Sequence, residues 1–368
     1  MSTLEIRFLH QLGEQIFDVH LSAPNKGIIA VLGRSGSGKT TLINVIAGIQ
    51  TPRSGIVKIE DHVMYNSELS INVPTYKRNL GYVFQDARLF PHLKVKRNLI
   101  YGMGKEDNDY FTQIIELLAL EPLLSRFPHQ LSGGEKQRVS IGRTLLSKPN
   151  LLLMDEPLAS LDLPKKQEIM PFLERLSHEI KIPVVYVTHS IEEVIQLADH
   201  LVIIDQGQVV TSGPVEQVWS QEAMQPFNPN GDRSSIFTGN VIETSLEYDM
   251  SRVEISPNVS LWVSGKIIPI GKTVRLKVRA SDISIDLKPS GSSSIRNVLS
   301  GTVVLIEDVI LYDGRKAANV LVELADSCQI VCTITLWAKK ALNLNLGQSV
   351  FIQVKSVSLN KSDCVFGH

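Results

Sequence analysis

The chain has 368 residues, which exceeds the size of one ordinary domain and predicts two domains. Its net charge of −1 offers no broad basic surface for nucleic acid, and 43% apolar with 20% charged residues is typical of a globular protein. Three cysteines without close spacing argue against a disulfide framework. No apolar run approaches the roughly 20 residues of a membrane-spanning helix, so the chain is expected to be soluble by itself.

Residues 1 to about 225 alternate short apolar runs with longer helical patterns, which predicts an α/β domain. Continuous apolar runs are typical of a largely parallel sheet covered on both faces, and they occur at Gly27–Leu32, Leu151–Asp155, Val184–Thr188 and Leu201–Asp205. Helices are predicted over Thr40–Gly48, Asp109–Leu118, Gly134–Ser147 and Leu163–Glu179. A segment rich in Pro, Asn and Gly at 226–232 predicts a linker, which divides the chain into domains 1–228 and 229–368.

The second domain consists of short β-branched runs separated by turn residues, which predicts a small all-β barrel or sandwich. The runs are Thr273–Val278, Gly301–Ile306, Val320–Leu324 and Ser349–Val354. The segment Lys288–Ser294, KPSGSSS, predicts a break inside this region. Cys328 and Cys332 fall in a strand-like stretch, where we expect buried apolar side chains rather than metal ligands.

The first motif that carries chemistry reads GRSGSGKT and matches GxxxxGK[ST], between an apolar strand and a helix. Its glycines let successive backbone N–H groups turn toward phosphate oxygens, and the helix N-terminus adds partial positive charge. Lys39 can reach the β- and γ-phosphates of ATP, and Thr40 can bind Mg²⁺. The predicted ATP-binding residues of this loop are Gly33, Arg34, Ser35, Gly36, Ser37, Gly38, Lys39, Thr40 and Thr41.

Two adjacent acids, Asp155 and Glu156, end the apolar run Leu151–Asp155. Like charges at a strand end repel each other, but beside a metal ion and a water nucleophile they are useful. We therefore predict that Asp155 holds Mg²⁺ through water and that Glu156 polarises the attacking water.

Further motifs complete an ordered set: Leu131-Ser132-Gly133-Gly134-Glu135-Lys136-Gln137, Gln85 after Tyr82-Val83-Phe84, Ser160-Leu161-Asp162, and His189 after a Val-rich strand. With the phosphate loop, this set resembles the ATP-binding cassette (ABC) family of transporter ATPases over residues 1–225. The resemblance implies a P-loop ATPase domain with a helical subdomain, which pairs head to tail with a second copy. Ser132, Gly133, Gly134 and Asp162 would then contact the ATP of the partner copy. Gln85 would sense Mg²⁺ and the attacking water, and His189 would contact the γ-phosphate.

The resemblance also implies partners and a location. Asp86–His92 resembles the segment of prokaryotic import cassettes that docks on integral membrane permease subunits, which places the chain peripherally on the cytoplasmic face of the inner membrane. A periplasmic or surface substrate-binding protein would act with it indirectly. Many cassettes stack an aromatic ring on adenine, whereas Leu12 stands at about that place here, and neither Phe8 nor Phe17 can be assigned to the base.

The second domain resembles the OB-like, molybdate-binding Mop domain over about 292–360. The resemblance lies in Ser293–Gly301 and in Lys355-Ser356. Hydroxyls, backbone N–H groups and a cation form a donor set that suits a dianion. The predicted oxyanion ligands are Ser294, Arg296, Asn297, Lys355 and Ser356. The whole chain thus resembles ATPases of molybdate importers, with molybdate or tungstate as the solute.

Three other interpretations stay open at the level of sequence. Similar tails occur on importers of sulfate, sugars, polyamines and iron. A non-transport cassette acting on DNA or the ribosome is disfavoured, because the chain is nearly neutral and has one cassette and no heptad run. An oxyanion store with a vestigial ATPase is disfavoured by the presence of Glu156 and His189.

Overall fold

The computed structural model describes residues 3–104, 107–179, 182–227, 233–264, 267–289, 294–311, 314–325, 328–355, 357–358 and 364–366. The chain forms two compact units, Met1–Pro214 and Val215–His368. The predicted domain ranges, 1–228 and 229–368, stay a prediction. The predicted linker at 226–232 lies outside the described residues from residue 228 onward.

The first unit is an α/β structure, as predicted. Its strands are β1 (Thr3–Leu12), β2 (Gln15–Pro24), β3 (Ile28–Leu32), β4 (Ser54–Ile59), β5 (His62–Asn66), β6 (Ile71–Asn72), β7 (Leu80–Val83), β8 (Leu151–Asp155), β9 (Val184–Thr188), β10 (His200–Asp205) and β11 (Gln208–Pro214). Its helices are α1 (Lys39–Ala47), α2 (Val95–Ile100), α3 (Asn108–Leu117), α4 (Gly133–Leu146), α5 (Leu163–Glu179) and α6 (Ile191–Leu197). The four predicted helices are α1, α3, α4 and α5, each with bounds within one residue of the prediction.

Among the described residues these strands form one 11-stranded sheet in the order β6-β5-β4-β1-β2-β11-β10-β3-β9-β8-β7. The four predicted strands, β3, β8, β9 and β10, run parallel as expected, and β7, which was not predicted, runs parallel beside β8. The expectation of a largely parallel sheet is wrong for the other half, where β1, β2, β4, β5 and β6 pair antiparallel. Those strands alternate buried and exposed residues, so they lack the continuous apolar runs that mark a doubly covered strand.

The parallel strands are buried on both faces. In β8, Leu152 and Met154 belong to the core cluster beneath α2–α5, whereas Leu151 and Leu153 face the cluster around α1. Successive strand residues point to opposite faces, so a strand with an apolar core on each side must be apolar throughout. This burial holds the carboxyl ends of β3, β8 and β9 rigidly at one edge of the sheet.

The second unit is mainly β structure. Its elements are α7 (Val215–Trp219), β12 (Ser234–Ser245), β13 (Met250–Ser256), β14 (Val259–Ser264), β15 (Thr273–Arg279), β16 (Ile283–Asp286), β17 (Asn297–Ile310), β18 (Lys316–Ala325), β19 (Cys328–Thr335), α8 (Leu336–Ala341), β20 (Ser349–Val354), β21 (Val357–Ser358) and β22 (Cys364–Phe366). The described strands form a 6-stranded sheet, β21-β14-β13-β12-β15-β22, and a 5-stranded sheet, β16-β20-β17-β18-β19.

One apolar cluster joins the two sheets of the second unit, with residues from Phe237 to Val354. The predicted break at 288–294 falls between β16 and β17, two strands of the 5-stranded sheet, although residues 290–293 lie outside the described part. Cys328 and Cys332 are free and buried in this cluster, as expected for apolar side chains.

Within the described ranges, no helix is long and apolar enough to cross a membrane. The same ranges contain no group of three or more His, Cys, Asp or Glu side chains that could by itself hold a metal ion.

Candidate functional site

The predicted catalytic residues follow the carboxyl ends of neighbouring parallel strands. The phosphate loop follows β3, Asp155 ends β8, and His189 follows Thr188 at the end of β9. Gln85 lies two residues beyond β7 and is exposed. In open α/β sheets this edge is where ligands bind, so the topology brings the predicted residues of β3, β7, β8 and β9 to one place.

The phosphate loop depends on two glycines. A Cβ atom on Gly33 would lie 2.6 Å from the carbonyl oxygen of Ile204, so no larger residue fits there. Gly38, just before α1, has φ of +108° and faces the ring of Phe17, a conformation and a close approach that favour glycine. The Gly207 N–H in the β10–β11 turn donates to the Ser37 carbonyl at 2.9 Å. The loop is therefore held from behind by a second turn.

The Lys39 side chain is buried and turned into the loop. Its Nζ atom donates to the carbonyl oxygens of Gly33 at 2.9 Å and Arg34 at 3.0 Å. The same atom lies 3.4 Å from Glu156 Oε1. The lysine thus lies between the loop and the acid that follows β8, where it can contact phosphate oxygens bound on the loop.

The β1–β2 hairpin lies against the phosphate loop. Gln15 Nε2 donates to the Gly36 carbonyl at 3.2 Å. Phe8 and Phe17 are each only 2% exposed, so neither ring can stack on a nucleotide base. Leu12 and Ile16 are exposed by 53% and 58% at the hairpin tip. The apolar surface beside the loop is therefore aliphatic.

A set of oxygen ligands suited to Mg²⁺ lies where α1 meets β8. Thr40 Oγ1 donates to Asp155 Oδ1 at 3.3 Å, and the Tyr82 hydroxyl lies 3.2 Å from Asp155 Oδ2 and 3.1 Å from Asn44 Oδ1. Burial raises the pKa of the Asp155 carboxyl, and the hydroxyls of Tyr82 and Thr40 oppose this shift. Hydroxyl and carboxylate oxygens are the donors that Mg²⁺ prefers, so the residues present fit the ion.

Glu156 lies in a strained conformation at the centre of the site. Its φ is +45°, and its N–H donates to the Val187 carbonyl of the neighbouring strand β9 at 3.0 Å. Its Oε2 lies 3.1 Å from His189 Nδ1, while Oε1 faces Lys39. A non-glycine residue with positive φ costs conformational energy, and such strain is often found at active sites. The backbone aims this carboxylate between a lysine and a histidine.

The signature segment forms the N-terminus of α4. Ser132 caps the helix: its hydroxyl accepts from the Glu135 N–H at 3.2 Å, and Glu135 Oε2 accepts from the Ser132 N–H at 2.7 Å. A Cβ atom on Gly133 would lie 2.9 Å from Leu161, so the signature packs directly against the Ser160–Asp162 segment. The first N–H groups of a helix have no partner within the helix, which leaves Gly133 and Gly134 as anion-binding donors.

Asp162 directly precedes α5, and its carboxylate contacts Lys165 in the first turn of that helix. Its Oδ1 accepts from the Lys165 N–H at 3.2 Å, and Oδ2 lies 2.7 Å from Lys165 Nζ. These two hydrogen bonds lower the pKa of the Asp162 carboxyl. The structure therefore groups the predicted site residues into two sets, one around Lys39 and one around Ser132.

The segment after Gln85 forms an aromatic and cationic surface. The Tyr82 and Phe84 rings stack at 4.2 Å, and the Arg88 guanidinium lies 3.9 Å from the centre of the Phe84 ring. Gln137 of α4 donates to the Phe84 carbonyl at 3.2 Å. The signature helix α4 is thus bonded directly to the strand end that carries Gln85.

The predicted oxyanion ligands are only partly available in one chain. Ser294, Arg296 and Lys355 are exposed, and Ser356 lies outside the described residues. Asn297 is 3% exposed, and its amide is already paired: Oδ1 accepts from the Trp262 N–H at 2.7 Å, and Nδ2 donates to the Trp262 carbonyl at 2.9 Å. Its side chain therefore braces β14 and does not face solvent as an oxyanion donor.

Several residues around the site were missed by sequence reasoning. Tyr82 was read only as part of the motif before Gln85, yet its hydroxyl contacts Asp155. Burial, with the Asp155 charge, raises the pKa of Tyr82 well above its usual range, so the hydroxyl stays protonated. Glu193 stands three residues after Ser190, the spacing of a helix capping box, but its carboxylate binds elsewhere. No sequence signal distinguishes these partners.

Comparison with known proteins yields two family models. One, described as ABC transporter, matches residues 16–159, and the other, described as TOBE domain, matches residues 293–360. The chain is 52% identical over 361 residues to the molybdenum import ATP-binding protein ModC of Vibrio parahaemolyticus, with 98% of each chain covered. It is 47% identical over 365 residues to the protein of the same name from Vibrio cholerae, with 99% of each chain covered.

Solved structures are similar to part of the chain. The chain is similar to cbiO1 from Clostridium perfringens, part of the ABC transporter complex cbiONQ, with a TM-score of 0.52 and 26% identity over 61% of this chain and 92% of that one. It is also similar to MJ1267, an ATP-binding cassette of an ABC transporter, with a TM-score of 0.51 and 28% identity over 58% of this chain and 92% of that one.

Proposed function

Because the chain belongs to the molybdenum import ATP-binding protein family of ATP-binding cassettes, we propose that it hydrolyses ATP to drive import of molybdate and tungstate through a membrane permease. The proposal of ATP hydrolysis rests on the position of the Glu156 carboxylate, which lies 3.4 Å from Lys39 Nζ and 3.1 Å from His189 Nδ1. The near full-length similarity to molybdenum import relatives, tail included, supports the solute.

The residues of the phosphate loop bind and orient ATP. Backbone N–H groups of the loop and the N-terminus of α1 attract the phosphates, and Lys39 contributes a positive charge. Thr40, Asp155 and Gln85 would hold Mg²⁺, which neutralises phosphate charge when bound. Thr41 lies within the first turn of α1, beside Thr40, and belongs to the proposed ATP-binding residues.

Glu156 and His189 act on the side of the attacking water. The Glu156 carboxylate accepts a hydrogen bond from the water and thereby directs a lone pair of the water oxygen toward the γ-phosphate. His189 steadies that carboxylate through Nδ1 and presents its other ring nitrogen to the phosphate. ATP and water become ADP and phosphate, with the proton released from water.

The separation of the two residue sets supports a dimer. Ser132, Gly133 and Gly134 present a helix N-terminus that attracts anions, and Asp162 lies beside it. In a head-to-tail homodimer these residues complete the ATP site of the partner copy. Closure of two such sites around ATP couples nucleotide binding to movement of the attached subunits.

The surface after Gln85 supports docking on permease subunits. Phe90 packs against Tyr101 with ring centres 4.3 Å apart, and Tyr101 is 65% exposed. An apolar and aromatic surface with nearby arginines suits a helix end of a membrane subunit. The protein then acts peripherally on the cytoplasmic face of the inner membrane, and it meets the substrate-binding protein only through the permease.

The tail is the proposed oxyanion sensor. Exposed Ser294, Arg296 and Lys355 offer a hydroxyl and two cations for molybdate or tungstate, with Ser356 as a further donor in the prediction. Since these side chains are exposed in one chain, we propose that a second copy completes the site.

The test is thermal stability of the full chain with molybdate, tungstate, sulfate or phosphate, each with and without Mg-ATP. A ligand that binds only the folded protein raises its apparent stability. Selective stabilisation by molybdate and tungstate, lost in Arg296→Ala and retained in Arg315→Ala, is the expected result. Equal stabilisation by sulfate, or none by any oxyanion, would reassign the solute while leaving the ATPase intact. A lack of Mg-ATP stabilisation would overturn the ATPase itself.

A further inference from the structure

A buried carboxylate lies directly behind the catalytic histidine. Glu193, in the first turn of α6, is 5% exposed, and both of its oxygens are occupied. Oε2 accepts from the Thr188 hydroxyl at 2.6 Å and from the Tyr186 hydroxyl at 3.0 Å. Oε1 accepts from Lys166 Nζ at 3.0 Å. A buried charge is tolerated only when it is hydrogen-bonded, and here both oxygens of Glu193 have partners.

The hydrogen bonds of this network hold the chain on both sides of His189. Thr188 precedes the histidine, and its hydroxyl donates to Glu193 while accepting from the Ser190 N–H at 3.0 Å. Ser190 follows the histidine and caps α6, where its hydroxyl accepts from the Glu193 N–H at 3.4 Å. The backbone at His189 is therefore fixed by its two neighbours, while its side chain remains 57% exposed and reaches Glu156.

The Lys166 contact links the same carboxylate to α5. Lys166 lies in the first turn of that helix, and its N–H donates to the Asp162 carbonyl at 3.0 Å. The Lys166 ammonium is the cation paired with Glu193 at a largely buried position. Consequently one carboxylate joins the segment before His189, the cap after it and α5, the helix that follows Asp162.

We propose that Glu193 is a positioning residue, which sets His189 against Glu156 and ties this arrangement to the Asp162 end of α5. The proposal rests on the proposed ATP hydrolysis. A carboxylate is required because all three side-chain partners donate: Thr188 must give its proton to Glu193 in order to keep its oxygen for the Ser190 N–H. A glutamine would turn an N–H₂ group toward at least one donor, which breaks the chain of hydrogen bonds.

The test compares two glutamate-to-glutamine variants of the full chain. Glu193→Gln should lower kcat for ATP at least about tenfold while KM for ATP stays within about twofold, because misplacing a catalytic group weakens the chemical step and leaves phosphate binding intact. Glu174→Gln is the matched control, since Glu174 also joins α5 to α6, through a hydrogen bond from Gln196. The control should keep kcat within about twofold of wild type.

A second variant keeps the test decisive if Glu193→Gln does not fold. Thr188→Val removes only the hydroxyl between Glu193 and the Ser190 N–H, and it should reproduce the selective loss of kcat. Thr188→Ser, which retains the hydroxyl, should keep kcat within about threefold of wild type. Unchanged kcat in Thr188→Val, or equal losses in Glu193→Gln and Glu174→Gln, would overturn the proposal. Wild-type protein without ATPase activity would instead refute the proposed function.

Discussion

Glu156 Oε2 lies 3.1 Å from His189 Nδ1, although 33 residues separate them in sequence. Each residue follows the carboxyl end of a buried parallel strand, β8 or β9, and these strands are paired residue by residue up to Asp155 and Val187. The pairing register therefore sets the distance between the two side chains.

The first prediction concerns Glu156→Gln. The amide keeps the size and the hydrogen-bonding reach of the side chain but cannot accept a proton, so we expect ATP binding to persist and hydrolysis to fall about 100-fold or more. The closed dimer should accumulate with ATP. Light scattering and phosphate release measure these effects, with Glu60→Gln on the β4–β5 turn as the control. Normal phosphate release in Glu156→Gln would contradict the assigned role.

The second prediction concerns Arg78, which is 2% exposed and donates to the carbonyls of Val45, Ile46 and Val73. Two of these carbonyls end α1, the helix that follows the phosphate loop. Arg78→Met should leave them unpaired and lower the free energy of unfolding by roughly 2–4 kcal/mol. Chemical denaturation measures the change, and exposed Arg53→Met should have little effect. Equal stability of the two variants would show that α1 needs no such cap.

The third prediction concerns the nucleotide base. The hairpin tip beside the phosphate loop offers aliphatic Leu12 and Ile16, and within residues 3–24 no Phe, Tyr or Trp ring is exposed. Wild-type protein should therefore turn over ATP and GTP with similar KM values. Leu12→Tyr should lower KM for both about fivefold, since stacking on a base contributes roughly 1–3 kcal/mol. Leu69→Tyr, at an exposed turn, is the control, and an unchanged KM in Leu12→Tyr would place the base elsewhere.

The fourth prediction concerns pH. Burial lowers the pKa of His200, whose Nε2 lies 2.8 Å from the Ser212 hydroxyl in the neighbouring strand. Because the folded protein disfavours the protonated ring, the stability that neutral His200 contributes is present above about pH 6.5. It is lost as the pH falls below that value. His200→Gln should be less stable than wild type at pH 7.5, and the gap should narrow at pH 5.5. Melting temperatures at both values measure this, with exposed His62→Gln as the control. A gap independent of pH would show that His200 binds protons equally in the folded and unfolded states, so that burial does not lower its pKa.

Sequence reasoning recovered the parts whose information is local. The phosphate loop, the acids after β8 and the signature helix are contiguous motifs, and the predicted helices agree with α1, α3, α4 and α5. The antiparallel half of the sheet was missed, because β1 and β2 alternate buried and exposed residues and carry no continuous apolar run. Asn297 was assigned to an oxyanion, although its amide pairs with the backbone of Trp262, 35 residues earlier.

By itself, then, the sequence determined which chemical groups are present and which of them stand at strand ends or helix starts. Those features depend on side chains a few residues apart, through capping, glycine conformation and apolar periodicity. Only the tertiary structure decided that Tyr82 meets Asp155, and that Glu193 binds Thr188, Tyr186 and Lys166 instead of capping its own helix. Several donors compete for each of these acceptors, and the partner that binds depends on which strands become neighbours in the folded sheet.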